Sequence, residues 1–302
     1  MVVRLSPCRS SNRHSASLPF FSVPELPAYE CIRVEIDGFV GRLVLNRPAR
    51  LNSFTIEMWG ELRDLGTRLL TDPGELRALV VVGEGRAFSS GIDTSVFTNA
   101  SSAGDVLVDP SAVARHDDPT VAGVLRMQDA YTWLEEAPFA TIAAIRGFAL
   151  GAGLQLALAC DVRVAARGTQ LGLLELEYGI IPDLGGTQRL PRLVGAGRAK
   201  EMIFTAARID ADEAERIGLV EHVVSDEELE VVAAKLAEAI AARPPLAVQA
   251  AKRAVGVAMS GASVREGLVV EAEGQATCLR SDDMKEAIAA FVEQRPPVYR
   301  GR

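Results

Sequence analysis

Two glycine-containing turns are the positions where backbone groups of this chain could do chemistry. The first, residues 87–93 with sequence AFSSGID, follows a strand predicted at residues 76–82. The second, residues 147–153 with sequence GFALGAG, follows a strand predicted at residues 141–145. Glycine lets a backbone approach a ligand closely, and two such turns on neighbouring strands can aim two N–H groups at one oxygen. The pattern therefore indicates an oxyanion hole, unless these glycines serve only turning and packing.

The second turn also opens a predicted helix, whose free N–H groups and dipole favour an anion. A dinucleotide-binding site is the natural rival, but Gly151-Ala152-Gly153 lacks the third glycine of that fingerprint at the required offset. The chain contains no G-x-S-x-G, and its histidines lack plausible catalytic partners, so a serine hydrolase is disfavoured as well.

Two carboxylates downstream, Glu175 and Asp183, bracket an apolar stretch that ends in a glycine pair. Apolar surroundings can raise the pKa of a carboxyl group towards neutrality, which suits it to act as an acid or a base. The alternative is that Glu175 and Glu177 are surface charges and that Asp183 caps a helix.

Hydrophobic periodicity places these features on an alternation of strands and helices. It predicts a hairpin at 31–45, helices at 54–70, 120–136 and 153–159, and strands at 76–82, 141–145 and 162–165. Such alternation is typical of a parallel α/β core.

After about residue 195 the pattern predicts helices alone. Ser225 with Glu228 and Ser263 with Glu266 have the spacing of capping boxes, and Pro296-Pro297 stops the last helix. We therefore divide the chain into a flexible leader at 1–28, an α/β core at 29–224 and a helical region at 225–302.

Composition narrows the class of protein. The 302 residues carry a net charge of −8, which argues against nucleic acid as the main partner. The four cysteines and three histidines are scattered, so no metal site or disulfide framework is expected. The most apolar stretch, residues 139–160, is interrupted by Arg146 and Gln155, which disfavours a membrane span.

Two segments differ from the rest of the chain. Residues 1–28 contain arginines and serines and no acid before Glu25, so a mitochondrial transit peptide is the alternative to an unstructured leader of a cytoplasmic protein. Residues 98–119 are polar and without period, and we predict a long flexible loop there.

The order of the motifs carries a family resemblance. Asn46-Arg47-Pro48, then AFSSGID, then GFALGAGLQLALACDVR, then ELEYGIIPDLGGTQRLPRLVG together resemble the enoyl-CoA hydratase/isomerase (crotonase) superfamily, from about residue 30 to the C-terminus. The resemblance implies an α/β fold, a spiral of β-β-α units with a helical C-terminal region that builds trimers, often paired into hexamers. It also implies an acyl-CoA thioester substrate, which is held while its enolate forms.

The resemblance assigns roles position by position. Ile92 and Ala152 match the residues whose N–H groups form the oxyanion hole, and residues 97–131 are expected to form much of the acyl pocket. Lysine is frequent in the family at Gln294, where Arg295 is a candidate substitute for a phosphate contact. The residues expected to contact the substrate, including its coenzyme A portion, are Arg50, Leu51, Ser89, Ser90, Gly91, Asp93, Gly151, Gln155 and Phe291.

The acidic residues decide which reaction is expected. Hydratases of the family use two glutamates, of which Glu175 matches the second and Gln155 replaces the first. An amide cannot exchange a proton near neutral pH, whereas Asp183 matches an aspartate of dienoyl-CoA isomerases. We therefore expect an enoyl- or dienoyl-CoA isomerase that needs no metal or redox cofactor. A hydratase and a non-catalytic acyl-CoA-binding protein are the alternatives.

Overall fold

The computed structural model describes residues 25–98 and 116–302. Most of the predicted leader at 1–28 and most of the loop predicted at 98–119 therefore lie outside the described residues. The part of the predicted acyl pocket at residues 99–115 lies outside them too.

Two sheets form the core of the described chain. Their strands are β1 (Ile32–Asp37), β2 (Val40–Leu45), β3 (Ala78–Gly83), β4 (Ala140–Ile145), β5 (Phe148–Leu150), β6 (Val162–Ala166), β7 (Gln170–Gly172), β8 (Ile209–Asp210) and β9 (His222–Val224). The main sheet has the order β1-β2-β3-β4-β6-β9, and the smaller sheet has the order β5-β7-β8. From β2 to β9 the main sheet is parallel, and β1 and β2 form the predicted antiparallel hairpin.

Helices cover both faces of the main sheet. They are α1 (Ile56–Thr71), α2 (Ser95–Thr98), α3 (Pro119–Glu136), α4 (Ala152–Leu158), α5 (Gly186–Val194), α6 (Ala196–Thr205), α7 (Ala211–Arg216), α8 (Leu229–Ala241), α9 (Pro245–Met259), α10 (Val264–Arg280) and α11 (Asp282–Glu293). Helix α1 packs against α3, where Gly66 leaves room for the indole of Trp133.

Strand β3 is buried on both faces, as its continuous apolar run predicts. Successive side chains of a strand point to opposite faces. Leu79 and Val81 accordingly join the cluster that contains α1 and α3, whereas Val80 joins a second cluster with Leu229 and Ala233 of α8. The turn that follows β3 therefore leaves a strand whose two faces pack into two hydrophobic clusters.

The prediction of helices alone after residue 195 is wrong. Strand β9 pairs with β6 at the edge of the main sheet, and β8 pairs with β7 in the smaller sheet. Both strands are too short, at three and two residues, to give an alternating pattern. The capping box predicted at Ser225 and Glu228 does not begin a helix, because these residues pair within a turn that precedes α8. The box at Ser263 and Glu266 caps α10 and is confirmed.

The last three helices leave an apolar surface uncovered. Helices α9 and α10 pack against each other and contain no buried residue. The exposed large apolar side chains of α9–α11 are Val255, Met259, Val264, Leu268, Val269, Leu279, Met284, Ile288, Phe291 and Val292. In the described part of the chain, no helix is both long and apolar enough to cross a membrane. Assembly into trimers remains a prediction.

Candidate active site

The first turn leaves β3 and is fixed by backbone pairing to the segment before α1. The Phe54 N–H donates to the Gly91 carbonyl at 2.8 Å, and the Asp93 N–H donates to the Phe54 carbonyl at 2.9 Å. Gly91 has φ +101°, a conformation that other residues rarely adopt. Because Gly91 and Asp93 face Phe54, the peptide N–H of Ile92 between them points the other way.

Asp93 anchors this turn. Its carboxylate accepts from the Arg47 guanidinium at 3.0 Å, the Ser53 hydroxyl at 3.1 Å and the Ser95 N–H at 3.1 Å. Desolvation would raise the pKa of Asp93, but the hydrogen bonds from Ser95, Arg47 and Ser53 outweigh it and hold the pKa well below its usual range. Asp93 is therefore a fixed anion that orders the turn.

The second turn lies directly beside the first. The Ser89 N–H donates to the Phe148 carbonyl at 2.8 Å, and the Leu150 N–H donates back to the Ser89 carbonyl at 3.1 Å. A Cβ atom built on Gly91 would lie 3.0 Å from the Leu150 carbonyl oxygen and 3.9 Å from Gly151 Cα. Only glycine at 91 allows this approach, so the expectation of two adjoining turns on neighbouring strands is met.

Two backbone N–H groups in these turns have no acceptor in the part of the chain that the structure describes. The N–H of Ala152 opens α4, where the first turn of a helix has no internal acceptor. Neither it nor the N–H of Ile92 donates a hydrogen bond to any other described residue. Two unpaired donors on adjoining turns can bind one oxygen of a ligand.

Glu175 reaches the same turns from the smaller sheet. It begins a short 3-10 helix, Glu175–Tyr178, after β7, and only 4% of it is exposed. Its Oε1 lies 3.3 Å from the position of a Cβ on Gly151, so the carboxyl group sits against the second turn. Burial raises its pKa to about 7, while the hydrogen bond from Gln155 lowers the pKa and the charge of Asp183 adds to the rise.

Gln155 joins Glu175 to the start of α5. Its Oε1 accepts from the Gly186 N–H at 2.9 Å, and its Nε2 donates to Glu175 Oε1 at 2.6 Å. Since the backbone donor at Gly186 fixes the amide oxygen, the amide NH₂ must face the carboxyl group. Glu175 Oε2 is buried and has no hydrogen-bond partner among the described residues. One carboxyl oxygen is thus held and the other is free for chemistry.

Asp183 is the second carboxyl group at the site. It is half-buried, and burial raises its pKa above the ordinary value. The Gln128 amide of α3 donates to its backbone carbonyl at 2.6 Å, which ties the segment before α5 to α3. The charge of Asp183 raises the pKa of Glu175, so the ionisation of one group depends on that of the other.

A comparison with known proteins decides the family. A family model described as enoyl-CoA hydratase/isomerase matches residues 35–302, which is most of the chain. The chain belongs to the enoyl-CoA hydratase/isomerase family.

Relatives of this chain are named for both candidate reactions, hydration and isomerisation. Crotonyl-CoA hydratase of Syntrophomonas wolfei is 38% identical over 269 residues, which cover 89% of this chain and 97% of the relative. The peroxisomal Delta(3,5)-Delta(2,4)-dienoyl-CoA isomerase of Arabidopsis thaliana is 34% identical over 275 residues, with 89% and 96% covered. A Thermobifida fusca protein solved in complex with CoA matches with TM-score 0.73 at 38% identity, covering 82% of this chain and 93% of that chain.

The comparison confirms the crotonase-like α/β fold with its helical C-terminal region. The chain is an enzyme of the hydratase or isomerase type, and its substrate is an acyl-CoA thioester. The alternative of a non-catalytic binding protein is therefore disfavoured.

The remaining site residues expected from the family resemblance differ in their burial and in their position relative to the two turns. Ser90 adjoins the site, whereas Ser89 is fully buried and its hydroxyl donates to the Asn52 carbonyl at 2.8 Å. Like Asp93, Ser89 makes side-chain hydrogen bonds within the chain, and contact of either residue with the substrate stays a prediction. Arg50 and Leu51 lie at the end of a 3-10 helix, Pro48–Arg50, beside the first turn.

The helical region offers two further expected contacts. Phe291 of α11 is 85% exposed, and its contact with a substrate across a neighbouring copy stays a prediction. Arg295 pairs with Glu286 and Glu293, which leaves its guanidinium committed to carboxylates. Sequence reasoning missed Gly186 as the donor that orients Gln155, although the glycine pair at the start of α5 marked the position.

Proposed function

We propose that this enzyme is an enoyl- or dienoyl-CoA isomerase, which moves a carbon–carbon double bond along the acyl chain. The observation that carries the proposal is the pair of hydrogen bonds of Gln155, from Gly186 and to Glu175. They leave an amide, rather than a second acid, beside Glu175. Addition of water by two glutamates is disfavoured because one of the two is absent.

The first step of the proposed reaction is enolate formation. The N–H groups of Ile92 and Ala152 bind the thioester oxygen and stabilise the negative charge that develops on it. Support comes from the lack of any other acceptor for these two donors among the described residues. The thioester itself makes the α-proton acidic, so the chemistry requires no redox cofactor or metal.

The second step is the relocation of a proton. In the proposed step Asp183 is ionised and the proton of the pair is on Glu175, whose pKa burial raises to about 7. Because Glu175 Oε1 accepts from Gln155, that proton resides on Oε2. For a 3-enoyl thioester, Asp183 removes a proton from the α-carbon and gives the dienolate. Glu175 then delivers its proton to the γ-carbon as the electron pair shifts, which leaves a 2-enoyl thioester.

At the end of this step Asp183 carries the proton of the pair and Glu175 is ionised. Exchange with solvent returns the proton from Asp183 to Glu175 before the next turnover. Gln155 holds Glu175 in one orientation throughout the reaction. It neither takes up nor releases a proton, since an amide does not titrate near neutral pH.

Two further features belong to the proposal. We propose self-association through the exposed apolar surface of α9–α11, into trimers with hexamers as the alternative. Phe291 would then lie at a neighbouring site. We also propose a cytoplasmic enzyme, with the mitochondrial matrix as the alternative location.

A substrate panel tests the proposal. The protein is incubated with a 3-enoyl-, a dienoyl- and a 2-enoyl-CoA in deuterated water, and the products are identified by mass spectrometry. Isomers that gain deuterium but no water support the proposal. Rapid formation of the 3-hydroxy thioester supports hydration, the second candidate, and overturns the first.

A further inference from the structure

Three aromatic side chains form a buried cluster behind the two turns. Phe54 precedes α1, Trp59 lies in α1 and Tyr131 lies in α3, and all three are essentially inaccessible to solvent. The rings of Phe54 and Trp59 stack with centroids 5.7 Å apart, and those of Phe54 and Tyr131 meet edge to face at 5.6 Å. Both arrangements are favourable for aromatic rings, so the three rings pack as one cluster.

One end of this aromatic cluster holds the first turn. Phe54 contributes the backbone N–H and carbonyl that pair with Gly91 and Asp93. The peptide N–H of Ile92, between these two residues, is therefore set by the position of Phe54. The Phe54 side chain in turn is confined by the rings of Trp59 and Tyr131.

The other end of the aromatic cluster holds the second turn. The Tyr131 hydroxyl donates to the Ala152 carbonyl at 3.1 Å and accepts from the Trp59 indole N–H at 3.2 Å. Burial raises the pKa of Tyr131 well above its usual value, so the phenol stays neutral and keeps the proton it donates. Ala152 is the residue whose own N–H opens α4.

We infer that the cluster of Phe54, Trp59 and Tyr131 is a positioning unit that sets the spacing between the Ile92 and Ala152 N–H groups. The two donors come from turns 60 residues apart in sequence, after different strands. The aromatic cluster connects both through side chains that are essentially inaccessible to solvent. This inference rests on the proposed function, since it assumes that the two N–H groups act on one oxygen.

The spacing of the two donors matters because an oxyanion hole works only when both lie at hydrogen-bond distance from the same developing charge. Displacement of a reacting group by about 1 Å can cost roughly a hundredfold in rate. Loss of the Tyr131 hydroxyl removes its hydrogen bond to the Ala152 carbonyl but leaves the Ala152 N–H in place. The expected loss is therefore smaller than for removal of a donor, about tenfold.

The test compares the binding of two thioesters that differ in how readily they form an enolate. Acetoacetyl-CoA forms an enolate readily, whereas butanoyl-CoA is saturated and binds through its carbonyl and coenzyme A. For Tyr131→Phe we expect roughly tenfold weaker binding of acetoacetyl-CoA and butanoyl-CoA affinity within about twofold of wild type. kcat on the substrate found in the panel should fall by about the same factor as acetoacetyl-CoA affinity, with little change in KM.

Two other variants complete the design. Trp59→Phe removes the indole N–H but keeps an aromatic ring at this position, and it should weaken acetoacetyl-CoA binding by a smaller factor. This variant serves as the test if Tyr131→Phe does not fold. Thr169→Val is the matched control, because Thr169 is also fully buried and its hydroxyl also donates to a backbone carbonyl, that of Ile145. It should lower thermal stability and leave the ratio of the two affinities unchanged.

The outcomes separate the two hypotheses. A wild-type protein with no preference for acetoacetyl-CoA contradicts the oxyanion hole itself. A wild-type preference that persists in Tyr131→Phe and Trp59→Phe overturns the positioning role alone. A similar loss of preference in Thr169→Val also overturns it, because the effect would then follow from general destabilisation.

Discussion

The amide of Gln155 donates a 2.6 Å hydrogen bond to Oε1 of Glu175, and this contact defines what the site can do. It holds one carboxyl oxygen and leaves the other without a partner among the described residues. Because an amide stands at this position, we assign proton transfer to Glu175 and Asp183, the two carboxyl groups of the site in the described part of the chain.

Substitution of Glu175 by Gln should abolish turnover while the protein stays folded. The change keeps the shape of the side chain but removes the proton that it transfers, and such groups contribute about 10²–10⁴-fold to rate. Steady-state kinetics on the substrate found in the panel measure the loss. Glu177→Gln is the matched control, because Glu177 lies in the same 3-10 helix but is exposed; it should retain wild-type kcat.

The pH dependence of kcat/KM should show a fall above neutrality. Burial raises the pKa of Glu175 to about 7, and the proposed step needs Glu175 protonated and Asp183 ionised. As pH rises through about 7 the protonated fraction of Glu175 decreases, so kcat/KM should decrease about tenfold per pH unit beyond it. If Glu175 acted instead as a lone base, kcat/KM would rise through the same range, and a profile of that sign would contradict the assignment.

Substitution of Gln155 by Leu should shift this pH profile upward. The Gln155 hydrogen bond lowers the pKa of Glu175, so its removal should raise that pKa and move the alkaline limb to higher pH. The variant also leaves the buried N–H of Gly186 unpaired, at a cost of about 1–3 kcal/mol in stability. Gln188→Leu, at an exposed position of α5, should leave the limb unmoved. An unshifted limb in Gln155→Leu would refute the role of the amide.

Substitution of Gly151 by Ala should damage both stability and activity. Gly151 has φ +50° and ψ −120°, and an added Cβ would lie 3.3 Å from Glu175 Oε1. Backbone strain of this kind costs about 1–3 kcal/mol, and the carboxyl group must also move. Thermal unfolding and kcat measure the two effects. Gly197→Ala, exposed in α6 with no atom within 4 Å of an added Cβ, should be neutral or slightly stabilising.

Much of the fold was predictable because its strands and helices carry clear periodicity. The continuous apolar run of β3 and the amphipathic pattern of α1 place both elements within a few residues of their observed bounds. Strand β9 has only three residues and is not fully buried, so it gave no pattern, and only its pairing with β6 makes it a strand. Short strands are defined by their neighbours rather than by their own residues.

The residues of the site were predictable from the sequence, but the hydrogen bonds that connect them were not. The glycine turns and the carboxyls Glu175 and Asp183 stand out by residue type and position. The hydrogen bond from Gly186 to Gln155 spans 31 residues, and that from Tyr131 to Ala152 spans 21. A tyrosine on the buried face of a helix is typical of a hydrophobic core, so nothing in the sequence indicates that its hydroxyl donates to the Ala152 carbonyl.

The most direct test of the central claim compares the first products from two substrates of the wild-type enzyme. A 3-enoyl-CoA and the matching 2-enoyl-CoA are each supplied in deuterated water and sampled within the first turnovers by mass spectrometry. Proton relocation predicts that the 3-enoyl-CoA gives the 2-enoyl thioester faster than either substrate gains water, and that Asp183→Asn loses this activity. Fast formation of a 3-hydroxyacyl thioester from the 2-enoyl-CoA, at an undiminished rate in Asp183→Asn, would contradict it.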